Sequence, residues 1–163
     1  MGTAPGYSSS QYLDGVPPGS VVDGVRCEDL ARLTFDDASI DILVTQDVLE
    51  HVMEPDRVLS ETRRVLRSGG VHLATFPWYP ELERSRVRAS LSSTGEVVHH
   101  APPEYHRSPV GDGSALVTID WGADLFARAA AHGLRVEVHQ LPQSRRQGID
   151  GEFRQVFAFS ALG

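Results

Sequence analysis

Along the chain the spacing of apolar positions changes several times, and each spacing predicts an element. Ile40-Asp41-Ile42-Leu43-Val44-Thr45, entered from the turn Asp36-Asp37-Ala38-Ser39, is a compact apolar run of the kind found in a strand buried on both faces. Pro55 suits the first turn of a helix, and Val58, Leu59, Thr62, Val65 and Leu66 then recur at helical spacing until Gly69-Gly70, which predicts a helix stopped by the glycine pair. Val71 to Phe76 follows as a second strand ended by Pro77. Strand, helix and strand in residues 40–76 have the length of a parallel crossover unit.

Outside that unit the pattern is looser. Residues 1–24 are rich in Gly, Ser and Pro and leave room for a short strand near Tyr12, so a loosely ordered segment is expected there. From Trp78 to Ser114, with Pro80, Pro102, Pro103 and Pro109, periodicity is lost over a stretch too long for an ordinary connection. A partly disordered insertion or lid over a substrate is expected. A helix from Trp121 to His132 carries Leu125, Phe126, Ala129 and Ala130 on one face and ends at Gly133. Leu134 to Leu141 and Phe153 to Ala161 read as two closing strands, and the whole, residues 1–163, as a single domain.

Composition narrows the functions. A net charge of −7 without a basic tract argues against a nucleic-acid substrate, whose phosphates call for clustered cations. Arg63, Arg64 and Arg67 on a helix and Arg84, Arg86 and Arg88 in a loop read as solvated faces. No apolar run approaches the ~20 residues of a membrane helix, and Met1 to Ser10 has no signal-peptide pattern, so a cytoplasmic protein without membrane contact is expected. The one cysteine, Cys27, excludes an internal disulfide. His99, His100, Glu104 and His106 share a stretch, but adjacent histidines point apart and no ligand spacing is met, so no metal is expected.

The pieces Cys27-Glu28-Asp29-Leu30, Leu33-Thr34-Phe35, Ser39-Ile40-Asp41, Asp47-Val48-Leu49-Glu50-His51-Val52, Arg64-Val65-Leu66 and Gly69-Gly70 occur in one order. In that order they resemble class I S-adenosylmethionine-dependent methyltransferases of the ubiquinone/menaquinone-biosynthesis type, strongly over Cys27 to Pro77 and by layout beyond. A second likeness, to a bacterial subgroup, lies in Tyr105-His106 with Pro109 and in Tyr7 to Tyr12. The resemblance implies an α/β fold: a three-layer Rossmann-like methyltransferase sheet, mostly parallel with an antiparallel C-terminal strand. The first strand and glycine loop of the family find no counterpart, since Val21-Val22-Asp23-Gly24 lies directly against Val25 to Leu30.

By carry-over Asp29 and Leu30, with Glu28, border the adenine of S-adenosylmethionine, and Gln46, Asp47 and Val48 line its methionine side, all at carboxyl ends of strands. Gln11 stands where the subgroup has an acidic residue for the ribose hydroxyls, and an amide accepts those bonds less strongly, so a weakened cofactor site is implied. Glu50, His51 and His106 are the candidate catalytic residues: an imidazole with an unperturbed pKa near 6.5 can take a proton from an acceptor. Trp78 and Tyr79 serve either as a stack for an aromatic substrate or as an apolar plug.

Three activities stay open on these grounds: methyl transfer to a small molecule, a non-catalytic partner subunit built on a degenerate methyltransferase fold, and a cofactor-independent isomerase or cyclase. With no first strand, the flank of Ile40 to Thr45 would lie open. Self-association as a homodimer, or a partner protein supplying the missing strand, is expected.

Overall fold

The computed structural model describes residues 6–107 and 114–162. The first ordered unit is a small sheet of β1 (Ser10–Gln11), β2 (Val21–Val22) and β3 (Val25–Cys27), with β3 central, parallel to β1 and antiparallel to β2. Cys27 is buried there, its thiol directed at the carbonyls of Leu13 and Val16. The turn after β3 is held by Glu28, whose carboxylate pairs with Arg26 and accepts from the amide and hydroxyl of Thr34.

β4 (Ile40–Gln46), the helix α1 (Pro55–Val65) and β5 (Leu66–Thr75) form the expected parallel crossover. The glycine pair acts differently from a helix stop. α1 ends at Val65, and Gly69-Gly70 lies inside β5, where the register jumps from Ile40↔Leu66 to Ile42↔Val71. Gly69 has a φ of 76°, and a Cβ on Gly70 would stand 2.8 Å from the Ile40 carbonyl, so the bulge needs both glycines. Arg64 ties α1 to the preceding turn, donating to the carbonyls of Leu33 and Phe35 and pairing with Glu61 and Asp37.

Within the segment expected to be an insertion or lid, the described residues form short paired strands. β6 (Arg86–Val87), β7 (Ala89–Leu91), β8 (Val97–His99), β9 (Tyr105–Arg107), β10 (Ser114–Leu116) and β11 (Ile119–Asp120) pair as β7 with β8, β9 with β10, and β6 with β11. Pro109 lies outside the described residues. Arg86 stays exposed, but Arg88 is largely buried; both bind the carboxylate of buried Asp120, and Arg88 also pairs with the exposed Glu104. The alternation of arginines thus carries an ion-pair network centred on Asp120, which the β6–β11 pairing brings together.

α2 (Leu125–Ala131), β12 (Leu134–Gln140) and β13 (Gln155–Ala161) close the chain. The main sheet has the order β12-β13-β5-β4, with β4 parallel to β5 and β13 antiparallel to both β5 and β12. Three strands therefore run one way and the last against them, the mixed sheet expected from the sequence. One face packs Ala74, Phe157 and Phe159 against Leu59 of α1 and Leu125 and Ala129 of α2, with Trp121 and Phe76 completing the core. Phe76 stacks on Phe157 at 4.3 Å between centroids.

Both helices of the described residues lie on that face, where Thr62 of α1 reaches His72 of β5 and Arg128 of α2 pairs with Asp56 of α1. On the other face Ile42 and Val44 are 62% and 66% exposed. The expectation that β4 is buried on both faces is thus corrected. Its run is apolar on both sides, yet only Ile40, Leu43 and Thr45 are turned toward the core, and the expected third layer is absent from the described residues.

Candidate functional site

The residues that follow β4 are held in an unusual path. Asp47 takes a φ of 51° and donates its amide to the Thr75 carbonyl, so the chain leaves the sheet sharply and enters a short 3₁₀ turn, Leu49–His51. That turn is clamped from the far end of the chain. The Thr118 amide donates to the Glu50 carbonyl, the Thr118 hydroxyl to the carbonyl of Val52, and the Trp121 indole to the Leu49 carbonyl.

This clamp brings together the three candidate catalytic residues. Glu50 is 1% exposed. Its Oε1 stands 3.7 Å from His51 Nε2 and 3.9 Å from His106 Nδ1, while Oε2 is buried without a hydrogen-bond partner. The two imidazoles meet edge to face at 5.3 Å. Burial pushes the Glu50 carboxyl up to about 7; its own backbone bond opposes the rise, Asp47 adds to it and His106 opposes it. His51 Nδ1 lies 2.8 Å from the Leu116 carbonyl. A carbonyl only accepts, so Nδ1 donates, and in the neutral ring Nε2 is the nitrogen whose lone pair faces Glu50.

Glu104, which the sequence grouped with His106 but set aside, has Oε1 3.8 Å from His106 Nε2; the anchors Thr118 and Trp121 were missed. The spacing Glu104-x-His106 at the start of β9 is the one signal available for Glu104. His99 and His100 do not join the cluster; His99 is exposed on β8, and His100 bonds Ser90.

The cofactor candidates fall into two groups. Gln46 and Asp47, at the end of β4, open into a cleft of about 220 Å³ shared with Thr75, Phe153 and Arg154, while Val48 packs on the core. Gln11, Glu28, Asp29 and Leu30 belong to the small sheet and its turn. Gln11 is exposed, with its carbonyl accepting from the Glu28 amide. Glu28 spends its carboxylate on Arg26 and Thr34, and Asp29 turns Oδ1 to the Ala31 amide. Leu30 packs against the core. Trp78 packs edge-on to Phe126 and Phe157 and donates to the Gly122 carbonyl, so it is a plug, and Tyr79 meets Phe153.

Residues 12–74 match the family model described as a methyltransferase domain. An uncharacterized methyltransferase of Mycolicibacterium gilvum is 30% identical over 155 residues, covering 83% of this chain and 58% of that protein. A Mycolicibacterium smegmatis protein described as a probable S-adenosylmethionine-dependent methyltransferase is 43% identical over 53 residues, which is 32% of this chain and 21% of that one. The chain thus spans between a fifth and three-fifths of the curated relatives it matches. Among solved structures, the CcbJ methyltransferase of Streptomyces caelestis aligns at a TM-score of 0.51 and 13% identity, over 85% of this chain and 64% of that one. An S-adenosylmethionine-dependent methyltransferase from Mesorhizobium loti aligns at 0.50 and 16% identity, over 86% and 72%. No helix of the described residues is long and apolar enough to cross a membrane. Over residues 12–74 the chain is similar to methyltransferase domains, and its mixed sheet is similar to the Rossmann-like fold of S-adenosylmethionine-dependent methyltransferases.

Proposed function

We propose that this chain transfers a methyl group from S-adenosylmethionine to a small molecule, with the cofactor at the carboxyl end of β4 and the acceptor at the Glu50–His51–His106 cluster. The observation that carries this reading is the position of the cluster. Glu50 and His51 follow within five residues of the strand end Gln46, inside the segment that matches the methyltransferase domain, and His106 of β9 packs onto them. In open α/β sheets ligands bind at such strand ends. Asp47 and Gln46 border the methionine end from the cleft. Asp29 offers Oδ2 toward the adenine, with Leu30 beneath it, and the exposed Gln11 side chain is free to meet the ribose. Glu28 supports the site by fixing the turn.

The acceptor enters beside His106, which is half-exposed, and an imidazole of the cluster takes its proton as the methyl group moves. Placement and exclusion of water then supply most of the rate. The Asp47–Val52 run supports the ubiquinone/menaquinone-biosynthesis type within the methyltransferases. The open flank of β4, with Ile42 and Val44 exposed, supports a second copy of the chain or a partner strand in the working assembly.

Calorimetric titration of the purified chain with S-adenosylmethionine and S-adenosylhomocysteine tests the cofactor half. Micromolar binding that weakens about tenfold in Asp29→Ala and Asp47→Ala, roughly 1.4 kcal/mol, is expected. No heat up to millimolar cofactor would remove methyl transfer by this chain.

A further inference from the structure

We propose that Glu50, His51 and His106 form a binding site for a divalent transition-metal cation of the zinc class. Their candidate ligand atoms all lie within 4.8 Å of one another. The separations of 3.7 and 3.9 Å from Glu50 Oε1 to the two imidazoles are too long for hydrogen bonds. Atoms bound to one ion at about 2.0–2.2 Å stand about 3.0–3.5 Å apart, so a modest closing of the three side chains around a cation completes the geometry.

The protonation pattern fits as well. Because His51 Nδ1 donates to the Leu116 carbonyl, Nε2 presents its lone pair to the cluster. His106 turns Nδ1 toward Glu50, and its Nε2 lies 3.8 Å from the Glu104 carboxylate, a charged neighbour rather than a hydrogen-bond partner at this distance. An imidazole whose outer nitrogen faces a carbonyl or carboxylate is the usual support of a metal-bound histidine. Independently, Glu50 Oε2 is buried with no hydrogen-bond partner, a costly state for a carboxylate that a cation beside it would relieve.

Two nitrogens and one carboxylate oxygen suit zinc and its neighbours better than magnesium or calcium, which prefer oxygen alone. Three protein ligands leave coordination positions open, and the half-exposed His106 side chain gives solvent a way in. Cation binding stands on this geometry alone. Where the methyl-transfer reading also holds, an open coordination position would face the acceptor, and the imidazole base of that reading belongs to the cation-free site.

The test uses chelator-stripped full chain titrated with Zn²⁺ and with Co²⁺, without S-adenosylmethionine, so that it succeeds or fails apart from methyl transfer. One equivalent is expected to bind at micromolar strength or tighter, with visible Co²⁺ absorption bands. Glu50→Gln and His106→Asn are each expected to weaken binding at least about tenfold, whereas His99→Asn on β8 leaves it unchanged. Circular dichroism checks that each variant folds, and His106→Asn, at a half-exposed position, keeps the test valid if Glu50→Gln does not fold. Wild-type binding no tighter than that of His106→Asn, or binding lost with His99→Asn, overturns the proposal.

Discussion

His72 and Glu50 are both fully buried titratable groups, yet burial has opposite uses in them. His72 is enclosed between the hydroxyls of Thr45, 2.8 Å from Nε2, and Thr62, 3.4 Å from Nδ1, and it stacks on Phe159. Two hydroxyls serve a neutral ring, with one nitrogen donating and the other accepting. Burial accordingly pushes the His72 pKa down to about 3. A histidine near 6.5 when unfolded and near 3 when folded contributes full stability above pH 6.5, and that stability is lost as the pH falls from 6.5 toward 3. Melting temperatures of wild type and His72→Gln across this range should show a shallower acid-side slope in the variant, by about one proton; equal slopes would mean the ring charges without cost. Alternation along Val71 to Thr75 puts His72 on the Ala74 face, opposite the larger apolar Val71 and Leu73, so its burial was not legible in the sequence. Nor was that of Glu50, because nothing local to Leu49–His51 announces the clamp from Thr118 and Trp121.

At the scale of elements, β4 decides how this molecule meets others. Its edge is unpaired among the described residues, and Ile42 and Val44 stand exposed beside the half-buried Val71 and Leu73 of β5. An apolar edge strand without proline, whose one charge, Asp41, is paired with Arg67 at its start, recruits another strand. Light scattering should therefore find the wild-type chain self-associated at micromolar concentration and Val44→Lys shifted at least about tenfold toward monomer. A wild type that stays monomeric at high concentration would refute this role for β4. The sequence marked the strand correctly but misjudged its surroundings. An apolar run states that a strand can be buried on both faces, and only the positions of α1 and α2 show that one face is left open.

The whole molecule is organised around Trp121, which is fully buried and joins the core to the candidate site. Its ring packs near Phe76 and Arg128, and its indole nitrogen donates to the Leu49 carbonyl, 72 positions earlier in the chain. Trp121→Phe keeps much of the apolar surface but strands that carbonyl in the core, which should cost about 1–3 kcal/mol in denaturant unfolding. Thr118→Val removes a second anchor of the same turn. The two substitutions should therefore be non-additive by more than about 0.5 kcal/mol, and strict additivity would show that the anchors act separately.

The sequence by itself determined the crossover of β4, α1 and β5, the closing pair β12 and β13, and the residue types of the candidate site, because hydrophobic period and local order carry that information. It also marked Glu50, His51 and His106 individually. Tertiary structure decided what they form together. The closure depends on the pairing of β9 with β10 and on Thr118 and Trp121 returning to the end of β4, and these last two contacts cross more than sixty residues, a separation that no local spacing encodes. The same holds for the glycine pair, read locally as a helix stop and used as a bulge because the Ile40 carbonyl comes too close for any side chain. It holds for Arg86 and Arg88 too, whose charge was visible in the sequence but whose partner, Asp120, arrives only when β11 pairs with β6. Local periodicity fixes which element a residue joins, and the packing of distant elements fixes what its side chain then meets.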